Sequence, residues 1–255
     1  MGWQPGAVLD PGHLDGVDVV VNLAGSPTLG NPHSRRWARD LQVSRVEGSR
    51  TIATAVAAHP DPPALLNASG ISWYGDHGGT PLTEASDSRG HALLTRVCHE
   101  WEAATRPAVE VGARVVLLRT APVLDRRSAP LSVQLRQFRL GLGGRFGDGR
   151  QYAPSISLRD WVGAVVHAAE HPHLTGPVNL CSPLTPTNAE VTEALADLVG
   201  RPARLHVPAT VLRVAAGAMA PELLGSLNTS PSALIAAGYR FRDADIAAVL
   251  DAATA

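Results

Sequence analysis

Short apolar runs and longer amphipathic segments alternate along the N-terminal part of the chain. Residues 17–23 (VDVVVNL), 64–68 (ALLNA) and 114–119 (RVVLLR) are compact and mostly apolar, which is typical of parallel strands buried on both faces. Residues 35–58 and 93–111, which lie between these runs, repeat apolar positions at helical spacing. This order of strands and helices predicts right-handed crossovers and a parallel sheet.

The alternation continues beyond residue 160. Residues 161–170 have helical spacing, residues 177–181 (PVNLC) form another apolar run, and residues 188–199 have helical spacing with Asn188 near the cap. After Ser182 the pattern changes to a proline-bearing stretch followed by short helical segments. We therefore expect an α/β fold in which the sheet precedes a smaller, mostly helical lobe.

Composition and charge exclude several kinds of chemistry. The chain has 255 residues and a formal net charge of −1, and all 22 of its basic residues are arginine. Without lysine it has no Schiff-base amine, no phosphate-binding lysine of a Walker A loop and no Tyr-x-x-x-Lys pair. The near-neutral charge provides no basic surface, so we expect neither nucleic acid nor a membrane as a partner.

Cysteine usage and the absence of long apolar runs indicate the cellular setting. Cys98 and Cys181 lie far apart and have neither metal-binding nor redox spacing, so we expect no disulfide scaffold and no metal. The opening MGWQPGAVLD lacks the order of a signal peptide, and no apolar run reaches the ~20 residues of a membrane-spanning helix. We expect a soluble cytoplasmic protein.

Candidate chemistry lies where the predicted strands end, because ligands of open parallel sheets bind at the carboxyl ends of strands. Residues 22–25 (NLAG) are small enough for a nucleotide to approach the backbone, although an ordinary turn has the same pattern. Ser69 and Tyr74 offer hydroxyls to a substrate, or else a turn cap and a packed ring. Arg119 can clamp a phosphate or carboxylate, or form an ion pair at the edge of the sheet.

Ordered motifs cover nearly the whole chain: VVNLAG (20–25), SRVEGSR (44–50), ASGISWYGDHG (68–78), CHEWEAA (98–104), VVLLRTAPVL (115–124), FRLGLGGRFGDGRQ (138–151), GPVNLCSP (176–183), TNAE (187–190), GRPARLHVPA (200–209) and SPSALIAAGYRFR (230–242). This set resembles the extended short-chain dehydrogenase/reductase proteins. Within them it is most similar to the atypical subgroup of NAD-dependent epimerase/dehydratase-like "epimerase family" proteins.

The resemblance implies a Rossmann-like doubly wound parallel sheet that binds NADP or NAD and acts on a small molecule. It places an NAD(P)-binding domain over residues 1–182, with a substrate-side loop insertion at about 127–154, and a C-terminal substrate-side lobe over residues 183–255. Ser69 matches the residue that polarises the substrate in typical relatives. The positions that match cofactor contacts are Leu23, Ala24, Gly25, Asp40, Arg45 and Val123.

Two of these cofactor positions carry charged side chains. Asp40 and Arg45 lie on the helix after the first strand. They match positions that, in relatives, lie along the same cofactor. Arg45 would suit a phosphate or a ribose, whereas the alternative is a solvated charge on an exposed helix face.

The chain departs from the family pattern at its start. Relatives open with a strand, a G-x-x-G-x-x-G turn and a helix, whereas Gly2-Trp3-Gln4-Pro5 matches a later loop. We therefore expect a sheet that lacks its first βαβ unit, which puts cofactor binding by this truncated chain in question. The glycine cluster at residues 141–147 does not follow a predicted strand, and it belongs to the substrate side or to a flexible surface loop.

The second departure concerns the catalytic pair. Leu93 and Val97 stand where active relatives carry tyrosine and lysine, so the usual proton donor and its ammonium partner are missing. Tyr74 is the tyrosine nearest a strand end, and it is the fallback acid/base.

Three hypotheses remain from the sequence. The first is an NAD(P)-dependent oxidoreductase or epimerase-like enzyme of unknown substrate, in which hydride transfer is assisted by Ser69. The second is a non-catalytic nucleotide-binding or interaction module, related to cell division as the label of some relatives suggests. The third is an inactive fragment of the enzyme. A homodimer is left open.

Overall fold

A computed structural model describes residues 4–255, apart from the side chain of Pro130. The match of Gly2 and Trp3 to a family loop therefore lies outside the described residues. The strands are β1 (Val19–Asn22), β2 (Ala64–Gly70), β3 (Pro81–Leu82), β4 (Val115–Thr120), β5 (Val123–Leu124), β6 (Gly144–Phe146), β7 (Ile156–Ser157), β8 (Gly176–Leu180), β9 (Leu205–Val207) and β10 (Asn228–Thr229).

Helices connect and cover these strands. The α-helices are α1 (Arg35–Ala58), α2 (Leu93–Ala103), α3 (Arg106–Glu110), α4 (Ala129–Arg139), α5 (Leu158–Glu170), α6 (Asn188–Val199), α7 (Ala209–Ala216), α8 (Ala220–Leu224), α9 (Ser232–Ala236) and α10 (Ile246–Thr254). Short 3-10 helices cover Pro11–Leu14, Ile71–Tyr74 and Gly217–Met219.

The central sheet contains four parallel strands in the order β1-β2-β4-β8. Its register places Asn22 beside Asn67, Ser69 beside Arg119, and Arg119 beside Asn179. The parallel sheet confirms the α/β fold class. All four strands therefore end at one edge, which we call the carboxyl edge, and the candidate residues meet there.

Helix α1 covers one face of the sheet and has the bounds that the sequence predicts. The Ser34 hydroxyl caps it by accepting a hydrogen bond of 3.2 Å from the Trp37 N–H. Ile52 and Val56 are buried against Leu65 of β2, and each such side chain contributes about 1.5–3 kcal/mol to the core. The buried stripe fixes how the helix, and therefore Arg45, lies on the sheet.

The helix predicted over residues 93–111 is wrong as a single element. It divides into α2 and α3 around Thr105. Pro107 is the cause, because it cannot donate to the carbonyl of Ala103 and its ring clashes with that carbonyl. Proline is well tolerated in the first turn of the following helix, which is its position in α3. The prediction of Asn188 near a cap is close, since Thr187 caps α6 through a capping box with Glu190.

The opposite face of the sheet is covered by α5. Arg114, the residue before β4, binds the C-terminal end of this helix. The Arg114 guanidinium donates to the carbonyls of Ala168, Ala169 and Leu174 at 3.0–3.2 Å. Carbonyls at the C-terminal end of a helix lack partners within the helix, so a cation that donates to them stabilises the end.

The C-terminal segment, defined here as residues 183–255, docks on α5 through two buried carboxylates. Asp160 accepts hydrogen bonds from the Tyr239 hydroxyl and from the backbone N–H groups of Arg242 and Asp243. Asp243 in turn pairs with Arg159 and accepts a hydrogen bond from Ser157. Buried polar groups are stable only when they are hydrogen-bonded, so these contacts require the docked arrangement.

The glycine cluster at residues 141–147 is not only a loop. Residues Gly144–Phe146 form β6, which pairs in parallel with β9 of the C-terminal segment. A Cβ atom on Gly144 would collide with the Leu205 carbonyl group, so glycine is needed for the strands to approach. The cluster therefore joins the sheet part of the chain to the C-terminal segment.

Across residues 4–255, none of the helices combines the length and apolar character needed to cross a membrane.

Candidate functional site

The carboxyl edge begins with Leu23, Ala24 and Gly25, which directly follow β1. The Leu23 side chain is 52% exposed, and the Ala24 N–H donates to the Asn22 side chain at 3.2 Å. Asn22 is itself held by hydrogen bonds of 2.7 Å to Asn67 and 3.1 Å to Ser49. A buried amide network therefore fixes a segment whose outer surface is open to a ligand.

Arg45 crosses this segment. Its Nη1 atom donates to the Leu41 carbonyl at 3.1 Å, and its guanidinium lies 5.1 Å from the centre of the Trp101 ring. A Cβ atom on Gly25 would lie 3.2 Å from Arg45 Cγ, so the glycine makes room for the arginine. Burial lowers the pKa of Arg45, and among the described residues no carboxylate forms an ion pair with it. A half-buried positive charge of this kind favours an anion.

The other two predicted cofactor positions lie at the margins of this surface. Asp40 is exposed and lies 3.7 Å from Arg36, while its backbone carbonyl accepts a hydrogen bond from the Ser26 hydroxyl. Val123 lies in β5, beyond the end of β4, and it is half-buried. The structure thus brings Leu23, Gly25 and Arg45 together, whereas Asp40 and Val123 flank the carboxyl edge.

Ser69 belongs to a buried ion-pair network. Ser69 is only 3% exposed, and its hydroxyl donates a hydrogen bond of 2.7 Å to Glu102 Oε1. Glu102 also receives two hydrogen bonds from Arg119, of 2.9 Å and 3.0 Å, in a bidentate pair. The sequence left open whether Arg119 binds a phosphate or carboxylate of a ligand or forms an ion pair within the protein. In the structure it forms the ion pair.

Aromatic rings enclose the same network. The Arg119 guanidinium lies 3.5 Å from the centre of the Trp73 ring and 4.9 Å from that of Tyr74. Tyr74 is fully buried, and its hydroxyl donates to Asn179 Oδ1 at 2.8 Å. Burial raises the pKa of Tyr74. A fully buried hydroxyl with its proton engaged has no path to a substrate in this conformation, which argues against Tyr74 as the fallback acid/base.

A second polar group reaches the carboxyl edge from the C-terminal segment. Glu222 of α8 forms a hydrogen bond of 2.6 Å with Ser72, which lies in the 3-10 helix directly after β2. Cys98 of α2 lies beside Gly70, because a Cβ atom on that glycine would be 3.0 Å from the Cys98 Sγ atom, and it is close enough to Glu222 for that charge to act on the thiol. Burial raises the pKa of the Cys98 thiol to about 12, so it is neutral and unreactive at physiological pH.

Sequence reasoning missed Glu102, Asn179, Ser72 and Glu222. Glu102 had one usable signal, since it lies on the segment of helical apolar spacing over residues 93–111 and Arg119 ends a predicted buried strand. Glu222 had none, because 150 residues separate it from Ser72. Its position depends on how the C-terminal segment docks, which no local pattern encodes.

Comparison with known proteins gives the chain its family. Residues 207–253 match a family described as "Domain of unknown function (DUF1731)". The "Epimerase family protein Mb2239" of Mycobacterium bovis is 41% identical over 258 residues, which cover 99% of this chain and 84% of that protein. "Epimerase family protein SDR39U1" of Homo sapiens is 33% identical, covering 93% of this chain and 82% of that protein.

Solved structures agree with this relationship. The crystal structure of human epimerase family protein SDR39U1 (isoform2) with NADPH superposes with a TM-score of 0.86 and 29% identity, covering 96% of this chain and 86% of that one. A UDP-glucuronic acid 4-epimerase from Bacillus cereus in complex with NAD has a TM-score of 0.72 at 15% identity and supports the fold alone, covering 96% of this chain and 76% of that one. The chain belongs to the epimerase family, an atypical branch of the extended short-chain dehydrogenase/reductase proteins with a Rossmann-like fold.

Proposed function

We propose that this chain binds NADP(H) at the carboxyl edge and uses it to reduce or oxidise a small carbonyl or alcohol. The observation that supports the proposal is Arg45, a half-buried guanidinium that lies across Gly25 and forms no ion pair among the described residues. The human relative of known structure is described with NADPH. NAD(H) remains the alternative nucleotide.

The donor set fits part of a dinucleotide. Arg45 would hold a phosphate or a ribose, because its planar donors match phosphate oxygens. The backbone of Leu23–Gly25 would pack against the same nucleotide, and Val123 would flank the nicotinamide ring. The bound cofactor would supply or accept a hydride, while this chain positions it and excludes water from it.

Ser69 and Tyr74 have supporting roles in this proposal. Both donate hydrogen bonds within the network around Arg119, and neither is open to solvent. We expect them to keep the floor of the site rigid, because a packed network of hydrogen bonds holds the reacting groups in place. Removing either hydroxyl would then affect stability before it affects substrate binding.

Fluorescence titration with NADPH tests the proposal. We expect Arg45→Met to raise the Kd for NADPH by about tenfold, because one charge-assisted contact is lost. Arg39→Met is the matched control, since Arg39 is an exposed arginine on the same helix and should leave the Kd unchanged. Failure of the unmodified protein to bind either NADPH or NADH overturns the proposal.

One observation favours a second candidate, a nucleotide-binding protein without catalysis. Val97 is 2% exposed and apolar, and Leu93 is half-buried on the same helix, where typical enzymes of this class carry lysine and tyrosine. Neither can move a proton. The two candidates differ in one measurement, because only an enzyme would oxidise bound NADPH when carbonyl compounds are added.

A further inference from the structure

An oxidoreductase of this kind needs a group that gives a proton to the substrate oxygen or takes one from it. Leu93 and Val97 cannot do so, and the hydroxyls of Ser69 and Tyr74 are buried and engaged. The Cys98 thiol is buried with a pKa of about 12. The acid/base must therefore come from another element at the carboxyl edge.

Glu222 has the required position. It lies on α8 in the C-terminal segment, and its Oε2 atom is 2.6 Å from the hydroxyl of Ser72. Ser72 is the second residue after the end of β2, so the hydrogen bond joins the C-terminal segment to the carboxyl edge. The Gly217–Met219 turn just before α8 also contacts α2, the helix that carries Leu93 and Val97. Glu222 itself lies close to this helix, since its charge adds to the effect of burial in raising the pKa of Cys98 on α2, the helix on which the family's tyrosine would stand.

The surroundings of Glu222 make its carboxyl unlike an exposed glutamate. No arginine or histidine forms an ion pair with it among the described residues. The titratable groups that face it from the sheet side are the buried Cys98 and, beyond it, Glu102. Burial raises the pKa of Glu222, and the hydrogen bond from Ser72 opposes the rise only in part. The carboxyl thus holds a proton at higher pH than an ordinary glutamate does.

We propose that Glu222 is the catalytic acid/base of this chain, and that Ser72 is the positioning residue that aims it at the substrate oxygen. The inference rests on the proposed function. In reduction, a bound nicotinamide cofactor would supply a hydride to the carbonyl carbon, and Glu222 would give its proton to the oxygen. The products are an alcohol, the oxidised cofactor and a carboxylate on Glu222, and the reverse direction returns the proton to that carboxylate.

The proposal makes a claim about stability that does not depend on substrate. Because the folded pKa is raised, the folded state binds the proton more tightly than the unfolded state does, and an ionised Glu222 weakens folding above that pKa. Glu222→Gln removes the charge but keeps a hydrogen bond to Ser72. We expect its Tm to rise by about 2 °C at pH 7, and the difference from the unmodified protein to vanish near pH 4.

Reduction of 9,10-phenanthrenequinone by NADPH supplies the kinetic arm. We expect Glu222→Gln to lower kcat by about a hundredfold or more with an unchanged Kd for NADPH. Ser72→Ala should lower kcat less, and it should move the pH dependence of kcat to higher pH, because the hydrogen bond that lowers the pKa of Glu222 is lost. Glu193→Gln, an exposed glutamate of the C-terminal segment, is the control and should change neither rate nor Tm.

The outcomes separate the two proposals. A Glu222→Gln protein that binds NADPH and keeps more than a third of the rate overturns the role of Glu222 and leaves the proposed function standing. A fall in the Tm of Glu222→Gln at pH 7 also overturns the role of Glu222, because it would mean that the ionised carboxylate stabilises the docking of the C-terminal segment on Ser72. If the unmodified protein binds neither NADPH nor NADH, or binds one of them and never reduces the quinone with it, the proposed function fails.

Discussion

Two arginines at the carboxyl edge have opposite surroundings. Arg119 is 3% exposed, is paired in two hydrogen bonds with Glu102, and is stacked on Trp73. Arg45 is half-buried, donates to one backbone carbonyl, and has no carboxylate partner among the described residues. The first arginine completes its own charge balance within the fold, whereas the second leaves a charge that a ligand can balance. Partners, more than burial, distinguish a structural arginine from a binding one.

Breaking the buried pair should have the largest effect. Glu102→Ala leaves the Arg119 guanidinium buried without a counter-charge and removes the acceptor of the Ser69 hydroxyl. We expect the free energy of unfolding to fall by about 3–5 kcal/mol, measured by urea denaturation. Glu110→Ala, which breaks an exposed pair with Arg106, should have almost no effect. Equal effects of the two substitutions would contradict the assignment of Arg119 as structural.

Arg159 is an intermediate case, since it is an exposed arginine paired with the buried Asp243. Asp243→Asn should lower the free energy of unfolding by about 1.5–3 kcal/mol, because the carboxylate accepts from both Ser157 and Arg159. These hydrogen bonds, that from Arg159 above all, lower the pKa of Asp243 below its ordinary 3.8.

The sign of the pH dependence follows from that lowered pKa. The contribution of Asp243 is complete above its unfolded pKa and is lost as pH falls through the folded pKa. Denaturation curves between pH 5 and about 2 should therefore decline less steeply for Asp243→Asn than for the unmodified protein. If stability declines equally for the two proteins over this range, the charge of Asp243 makes no net contribution to the free energy of unfolding.

Removing the unpaired arginine should have the smallest effect on stability. Arg45→Met retains most of the packing on Trp101 and removes a charge without a carboxylate partner, together with one hydrogen bond to the Leu41 carbonyl. We expect the free energy of unfolding to change by less than about 0.5 kcal/mol. The rise in Tm that saturating NADPH gives the unmodified protein should shrink at the same time. A large loss of stability without NADPH would place Arg45 with Arg119 instead.

The sequence predicts well the parts of this molecule that depend on local signals. The run VDVVVNL predicts β1, and the Ser34 cap with the apolar stripe of residues 35–58 predicts α1. The division of the helix at Thr105 also had a local signal in Pro107, which the apolar spacing of residues 93–111 outweighed. The family resemblance predicts that Arg45 lies along the cofactor. The structure adds that, among the described residues, no carboxylate pairs with it.

Contacts between distant segments could not be predicted in this way. Arg119 had two interpretations because its partner, Glu102, is 17 residues away on another element. Ser69 was a catalytic candidate in the sequence because no neighbouring residue indicates that its hydroxyl donates a hydrogen bond to Glu102. Glu222 is recognisable only after the C-terminal segment has docked. Charge balance is a property of the folded neighbourhood, and neither composition nor periodicity contains it.

The contact between Asp160 and Asp243 has a consequence for biosynthesis. The two residues are 83 positions apart, and Asp243 must reach α5 before the C-terminal segment can dock. A nascent chain can therefore complete its central sheet, with the carboxyl edge, well before ribosomes have added the residues that dock the segment carrying Glu222. On the proposed function, such a chain would bind a dinucleotide before Glu222, the proposed proton donor, is in position. Ligand binding would then precede chemical competence during synthesis, so that the cofactor could serve as a template on which the last part of the protein folds.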